Sequence, residues 1–205
     1  MATPHEDAVL GYRTDRTVFT HSILFGVAES ALASAHEMRQ DAQALQAGPP
    51  ADSNLITCWV MAAFAMEAYL NFAGEQLLPY WDDIERIGVR QKFSVLVKHV
   101  HFTPDLGRRP YQTLHRMWKN RDFFAHARTV TPRSIVNDGP LPVEVPYPTA
   151  DWEEDLSLEA TERLLEDVRT VHVDLHERFG LQDGSFGRTE TRSGEVLRSA
   201  HPDGS

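Results

Sequence analysis

Three residues near the middle of the chain have side chains that can act on a phosphodiester. Arg121, Asp122 and His126 lie in the segment WKNRDFFAHAR, residues 118–128. A guanidinium can donate two parallel hydrogen bonds to phosphate oxygens, and an imidazole exchanges protons near neutral pH because its unperturbed pKa is about 6.5. RNA supplies its own nucleophile, the 2′-hydroxyl group. If these residues are catalytic, such a reaction needs no metal ion, and Asp122 would orient His126 or the arginine of a second copy.

Arg121 and His126 point in different directions around the helix that is expected over residues 109–128. At 100° per residue, Arg121 falls in line with Leu114 and Trp118 on the apolar face, whereas His126 lies about 140° further round. One histidine also cannot easily serve as both acid and base from one position. Both points favour a site that two copies build together in a symmetric homodimer.

A position on the apolar stripe means that Arg121 requires an anionic partner, because burying an unpaired guanidinium is costly. The sequence leaves two possible anionic partners for Arg121. Glu67, in the apolar second helix with Asn71 one turn further on, would give a buried ion pair that fixes the bundle. An RNA phosphate at a bundle edge or dimer seam would instead make Arg121 catalytic.

Four further residues around this motif are candidates for substrate binding. They are the basic or polar residues His115, Lys119 and Arg128, together with Phe123. Phe123 points away from Leu114, so it is predicted to be the most exposed aromatic side chain of the helix. It could stack on a base or lie in a dimer seam.

The net charge of the 205 residues is −10, but it is unevenly distributed. Residues 86–133 carry a net +9, and the remainder of the chain carries −19. The overall acidity argues against a general nucleic-acid coat protein, whereas the basic stretch could attract phosphates. The alternative is that acidic helices simply neutralise a basic one.

The motif resembles the signature of the HEPN superfamily: an arginine, then a polar residue, then a histidine after four to six intervening positions. Other Arg/His pairs in the chain share this spacing, but among them Arg121 alone is followed by an acidic residue. The stretch MEAYLNFAGEQL, residues 66–77, also resembles helices of such families. The resemblance implies a small helical bundle over residues 18–179. It further implies a homodimeric, metal-independent ribonuclease of a toxin–antitoxin or phage-defence system, with an antitoxin or defence protein as partner.

Hydrophobic periodicity predicts an all-α fold, an up-and-down bundle of four to five main helices. A polar extension is expected at residues 1–17, a long Pro-rich loop at 129–151 before the last helix, and a disordered tail at 180–205. The expected helices span residues 18–47, 53–78, 81–87, 89–101, 109–128 and 158–179.

Other kinds of site are poorly represented. The sequence has no glycine-rich phosphate loop, G-x-S-x-G elbow or CxxC pair. Cys58 lies in the most apolar helix and is predicted to be buried and unreactive. His172 and His176 are too few to close a zinc site, and we interpret them as polar residues on the surface of a helix, so no metal or other cofactor is expected. With a single cysteine, no secretory signal and no membrane span expected, we predict a cytoplasmic protein.

Three hypotheses follow from these patterns. The first is an RNA-cleaving homodimer that uses Arg121 and His126. The second is a non-catalytic interaction or scaffold protein of the same fold, in which Arg121 pairs with Glu67. The third is a small-molecule or metal sensor that uses the bundle interior.

Overall fold

The computed structural model describes residues 9–44, 53–126 and 152–198. These residues form an all-α bundle with a small two-stranded sheet, which confirms the predicted fold class. The Pro-rich loop predicted at residues 129–151 lies outside the described residues. The elements are β1 (Val9–Val18), α1 (Thr20–Ala44), α2 (Ser53–Leu77), α3 (Trp81–Ile84), α4 (Val89–His99), α5 (Tyr111–Ala125), α6 (Leu158–Phe179) and β2 (Glu190–Arg198), with a short 3-10 helix at Glu153–Asp155.

Helix α2 forms the centre of the bundle and packs against α1, α4, α5 and α6. Its middle is apolar on nearly all sides, and Cys58, Met66 and Leu70 are fully buried. Small residues on α2 let its neighbours approach closely. A Cβ atom at Gly74 would lie 2.2 Å from a ring atom of Trp81, so this position requires glycine. By length and hydropathy α2 could also cross a membrane, but half of its most apolar 18-residue window is buried in the bundle.

Helix α6 has the bounds that its periodicity predicts. The Ser157 hydroxyl accepts a hydrogen bond from the Ala160 backbone N–H at 3.0 Å, which satisfies one free donor of the first turn. Gly180 ends the helix in the left-handed conformation at φ 65°. The Trp59 indole donates to the Thr161 hydroxyl at 3.0 Å and so joins α2 to α6.

The two ends of the chain differ from the prediction. Strands β1 and β2 pair in antiparallel register, with Arg16 opposite Arg192 and Val18 opposite Glu190. The expectation of disorder is therefore wrong for residues 181–198, and the extension at residues 1–17 contains a strand. Both strands are polar and lack hydrophobic alternation. Their order comes from pairing between segments more than 170 residues apart, which no local pattern reports.

The loop between α6 and β2 is attached to the bundle by specific contacts. The Phe186 ring stacks on His172 at 3.8 Å and on Phe25 at 4.3 Å between ring centroids. The Phe19 backbone N–H donates to the Thr189 carbonyl at 2.8 Å and continues the pairing of the two ends. This loop therefore closes the hydrophobic core over α1 and α6.

Candidate functional site

The Arg121 guanidinium lies between two carboxylates of its own chain. Its Nη2 donates to Glu67 Oε2 at 2.5 Å, and its Nη1 donates to Asp122 Oδ1 at 2.9 Å. Its Cζ lies 5.3 Å from the centre of the Phe64 ring. The side chain is 23% exposed. Of the two partners that the sequence left open, the structure places Glu67 against Arg121.

Glu67 also attracts a second cation. Lys92 Nζ lies 3.5 Å from Glu67 Oε1, and the Lys92 side chain is almost fully buried. This cluster ties α2, α4 and α5 together, and its charges balance, because two carboxylates face two cations. We refer to Glu67, Lys92, Arg121 and Asp122 as the Glu67 cluster.

Asn71 does not belong to that cluster in the recorded contacts. It lies one turn beyond Glu67 on α2, and its buried Oδ1 has no hydrogen-bond partner among the described residues. Asn71 instead lines a cavity with Thr20, His21 and Glu75 near the start of α1. Its predicted role as a partner of Arg121 therefore receives no support from the contacts.

His126 occupies the position that ends α5. Its backbone N–H donates to the Asp122 carbonyl at 3.1 Å, and its side chain is exposed. Five residues of helix place it about 140° and about 7.5 Å from Arg121 along α5. The two predicted catalytic residues therefore share one end of the helix but face different directions within one protomer. Asp122 lies between them and is half exposed.

The four predicted substrate-binding residues have different surroundings. Lys119 and His115 are exposed on α5, as a contact with substrate requires. Arg128 lies outside the described residues. Phe123 is half-buried with its ring 5.8 Å from the Trp152 ring, whereas Tyr111 and Trp118 on the same helix are buried. Trp152 follows the Pro-rich segment in sequence, so the periodicity of α5 could not indicate this contact.

Two arginines of the basic stretch pair with acidic residues of α6 and the 3-10 helix. Arg109 makes a bidentate pair with Asp167, with N–O distances of 2.7 and 2.8 Å. These bonds raise the pKa of Arg109 above its ordinary value. Arg116 lies 3.5 Å from Asp155. Together with the Glu67 cluster, these pairs match the alternative in which acidic helices neutralise a basic one.

A buried histidine cluster was missed by the sequence interpretation. His172 is 2% exposed and packs against Tyr69 and Phe186, so the prediction that it is a polar residue on the surface of the helix is wrong. Burial lowers the pKa of His172 to about 3. It also lowers the pKa of His21, whose Nε2 lies 2.7 Å from the Gly184 carbonyl oxygen. His21 is 151 residues from His172, so no local spacing could join them.

Two other predictions concern Cys58 and metal binding. Cys58 is fully buried, as predicted, and burial raises the pKa of its thiol to about 12. Its reactive thiolate form is therefore suppressed. Within the described ranges, no group of three or more His, Cys, Asp or Glu side chains is placed to hold a metal ion.

Comparison with protein-family models, with curated proteins and with solved structures gives no match for this chain. The resemblance to HEPN proteins therefore stays a prediction from the sequence motif.

Proposed function

We propose that the chain is one protomer of a HEPN-like, metal-independent endoribonuclease whose site forms across a homodimer. The observation that carries the proposal is the placement of exposed His126, half-exposed Asp122 and partly exposed Arg121 at one end of α5. A group that can transfer a proton and a group that can bind a phosphate are thus both accessible to solvent at this end of α5, and a second protomer would bring them together. RNA is the proposed substrate, and an antitoxin or defence protein in the cytoplasm is the proposed partner.

Glu67 and Asp122 act in this proposal as positioning residues for Arg121. A guanidinium has five N–H donors, and the two recorded hydrogen bonds occupy only part of them. The two carboxylates hold the planar group in a fixed orientation, so the N–H groups that they leave unbonded could donate to a phosphate. The ion pair and a catalytic role are therefore compatible.

The reaction requires proton transfer at two oxygens. His126 removes the proton from the 2′-hydroxyl, the 2′-oxygen attacks the phosphorus, and the bond to the 5′-oxygen breaks. A second imidazole, from the partner's His126, protonates the leaving 5′-oxygen. Arg121 stabilises the negative charge on the phosphorus oxygens. The products are a 2′,3′-cyclic phosphate and a 5′-hydroxyl end.

The test is cleavage of a mixed RNA pool by purified protein in excess EDTA, followed by analysis of the fragment ends. The proposal predicts cutting with 2′,3′-cyclic phosphate ends, and no cutting of a strand with 2′-deoxyribose at every position. Fragments that carry 3′-hydroxyl ends, or cleavage of the all-deoxy strand, would contradict the reaction.

A second candidate is a non-catalytic interaction protein of the same fold. The observation that favours it is the charge balance of the Glu67 cluster, in which Arg121 already has anionic partners in its own chain. Here Arg121 would serve only stability. This candidate predicts that folded Arg121→Lys, which keeps the charge, and folded His126→Ala bind the partner protein as tightly as the wild type does. Loss of RNA cleavage in a folded His126→Ala variant would reject it.

A further inference from the structure

A groove between α4 and α5 encloses a cavity of about 300 Å³, within the range of small-molecule sites. Its floor is apolar. Helical residues supply most of that floor, and the loop between the two helices closes it. The apolar residues that line it are Phe93, Val97, Phe102, Leu106, Tyr111 and Trp118.

The aromatic floor is held in place by contacts within the bundle. Phe93 packs edge-on against Trp118 at 5.7 Å, and Phe102 packs against Tyr111 at 5.7 Å between ring centroids. The Arg178 guanidinium carbon lies 3.8 Å from the centre of the Phe102 ring. A floor fixed in this way is preformed, so a ligand would not have to order it on binding.

The rim of the groove is cationic. Arg90, Ser94 and Lys98 follow one another at four-residue steps on α4 and so form one row along the groove. His115 faces them from α5, between Tyr111 and Trp118. Arg90, Lys98 and His115 are all exposed. The cavity lining contains no carboxylate.

These rim cations differ from three other basic residues of the same helices. Lys92, Arg116 and Arg121 each lie within 3.5 Å of a carboxylate oxygen. Neither Arg90 nor Lys98 has such a partner among the described residues. The two cations that border the apolar groove thus keep their charge available for an anion from outside.

The groove also leaves apolar surface uncovered at its mouth. Leu106 is 52% exposed and is one of few large hydrophobic residues with that exposure in the described chain. A ligand with an apolar body would cover Leu106 and the floor. A nucleotide fits less well, because its sugar hydroxyls would face aromatic rings and would lack partners there.

We propose that this groove binds a small organic acid that has a flat apolar body and a single carboxylate. The carboxylate would lie between Lys98 and Arg90, and the body would rest on the aromatic floor. This site is distinct from Arg121 and His126, so the proposal does not depend on ribonuclease activity.

Calorimetric titration of the whole chain with 2-naphthoate tests the proposal, with 2-naphthalenemethanol as the uncharged analogue of the same ring system. The acid is expected to bind with one site per chain and about threefold to tenfold more tightly than the alcohol, because each exposed ion pair at the rim contributes a factor of up to about five. Equal affinity for the two compounds, or no binding of the acid at millimolar concentration, would overturn the proposal.

Matched variants locate the binding. Lys98→Met and Arg90→Met should each weaken acid binding about twofold to fivefold and leave alcohol binding unchanged. Lys119→Met makes the same change on an exposed lysine of α5 that does not line the groove, and it should have no effect. Leu106→Asp should weaken binding of both compounds. If Lys119→Met lowers the affinity as much as Lys98→Met, the acid is bound by general charge attraction and the assigned site is wrong.

Discussion

Arg121 on α5 donates a 2.5 Å hydrogen bond to Glu67 on α2, and Lys92 on α4 approaches the other oxygen of the same carboxylate. One acidic residue of the central helix thus connects three helices. The pair also fixes the direction in which the guanidinium of the proposed site points. The Arg121–Glu67 contact therefore contributes both to the stability of the fold and to the proposed chemistry. The two contributions can be measured in separate experiments.

Removing Arg121 is expected to destabilise the fold moderately. Arg121→Ala should lower the free energy of unfolding by about 1–3 kcal/mol, because a charged hydrogen bond is lost at a site that is only partly buried. Lys92 still balances the negative charge of Glu67 in this variant. The loss of stability is therefore smaller than for an isolated buried ion pair. Denaturant unfolding at neutral pH measures the change.

The exposed pair Arg108–Asp105 provides the control for that experiment. Its N–O distance is 3.6 Å and both side chains are largely exposed, so Arg108→Ala should change stability by less than about 1 kcal/mol. A double-mutant cycle of Arg121→Ala with Glu67→Gln should give a coupling of about 0.5–3 kcal/mol. Zero coupling would show that the contact contributes nothing to the fold.

The buried histidines predict that stability falls with decreasing pH. Their pKa values are lowered in the folded state, to about 3 for His172, so below about pH 6.5 the unfolded chain binds protons that the folded chain does not. The free energy of unfolding should therefore be unaffected by these groups above pH 7. It should decrease from there down towards pH 3, by at most about 1.4 kcal/mol per pH unit for each histidine.

The variant His172→Phe isolates this contribution. Buried Nε2 of His172 has no hydrogen-bond partner among the described residues, so an apolar ring costs little there at pH 8. Thermal midpoints measured between pH 8 and pH 5 should decline less steeply in the variant than in the wild type. Identical slopes would mean that His172 is not the group that titrates.

Two glycines predict opposite effects of the same substitution. Gly74→Ala should destabilise by about 1–3 kcal/mol, because the added methyl group would overlap the Trp81 indole. Gly26→Ala on α1 meets no atom within 4 Å and should stabilise by about 0.5–1 kcal/mol through helix propensity. Urea midpoints of the two variants should lie on opposite sides of the wild-type value.

The proposed dimeric site makes activity depend on protein concentration. If the partner's His126 supplies the second imidazole, specific cleavage activity should fall when the protein is diluted below the dimer dissociation constant. Sedimentation velocity over the same concentration range gives the fraction of dimer. Constant specific activity in a fully monomeric sample would contradict the two-protomer site.

Local hydrophobic periodicity was sufficient to predict the main helices, because each of them buries a continuous apolar stripe in the bundle around α2. It also indicated that Arg121 needs an anion and that Glu67 could supply it, since both lie on apolar faces. The contacts that sequence reasoning missed join distant segments. Phe123 meets Trp152 across the Pro-rich segment, and His172 meets Phe186 from the loop that leads to β2.

The most direct test of the account is RNA cleavage in excess EDTA by the wild type, by His126→Ala and by His99→Ala, a matched variant of an exposed histidine on α4. All three proteins should have similar thermal midpoints. The account predicts that the wild type and His99→Ala cut RNA and that His126→Ala does not. Undiminished cutting by folded His126→Ala, or no cutting by the dimeric wild type, would contradict it.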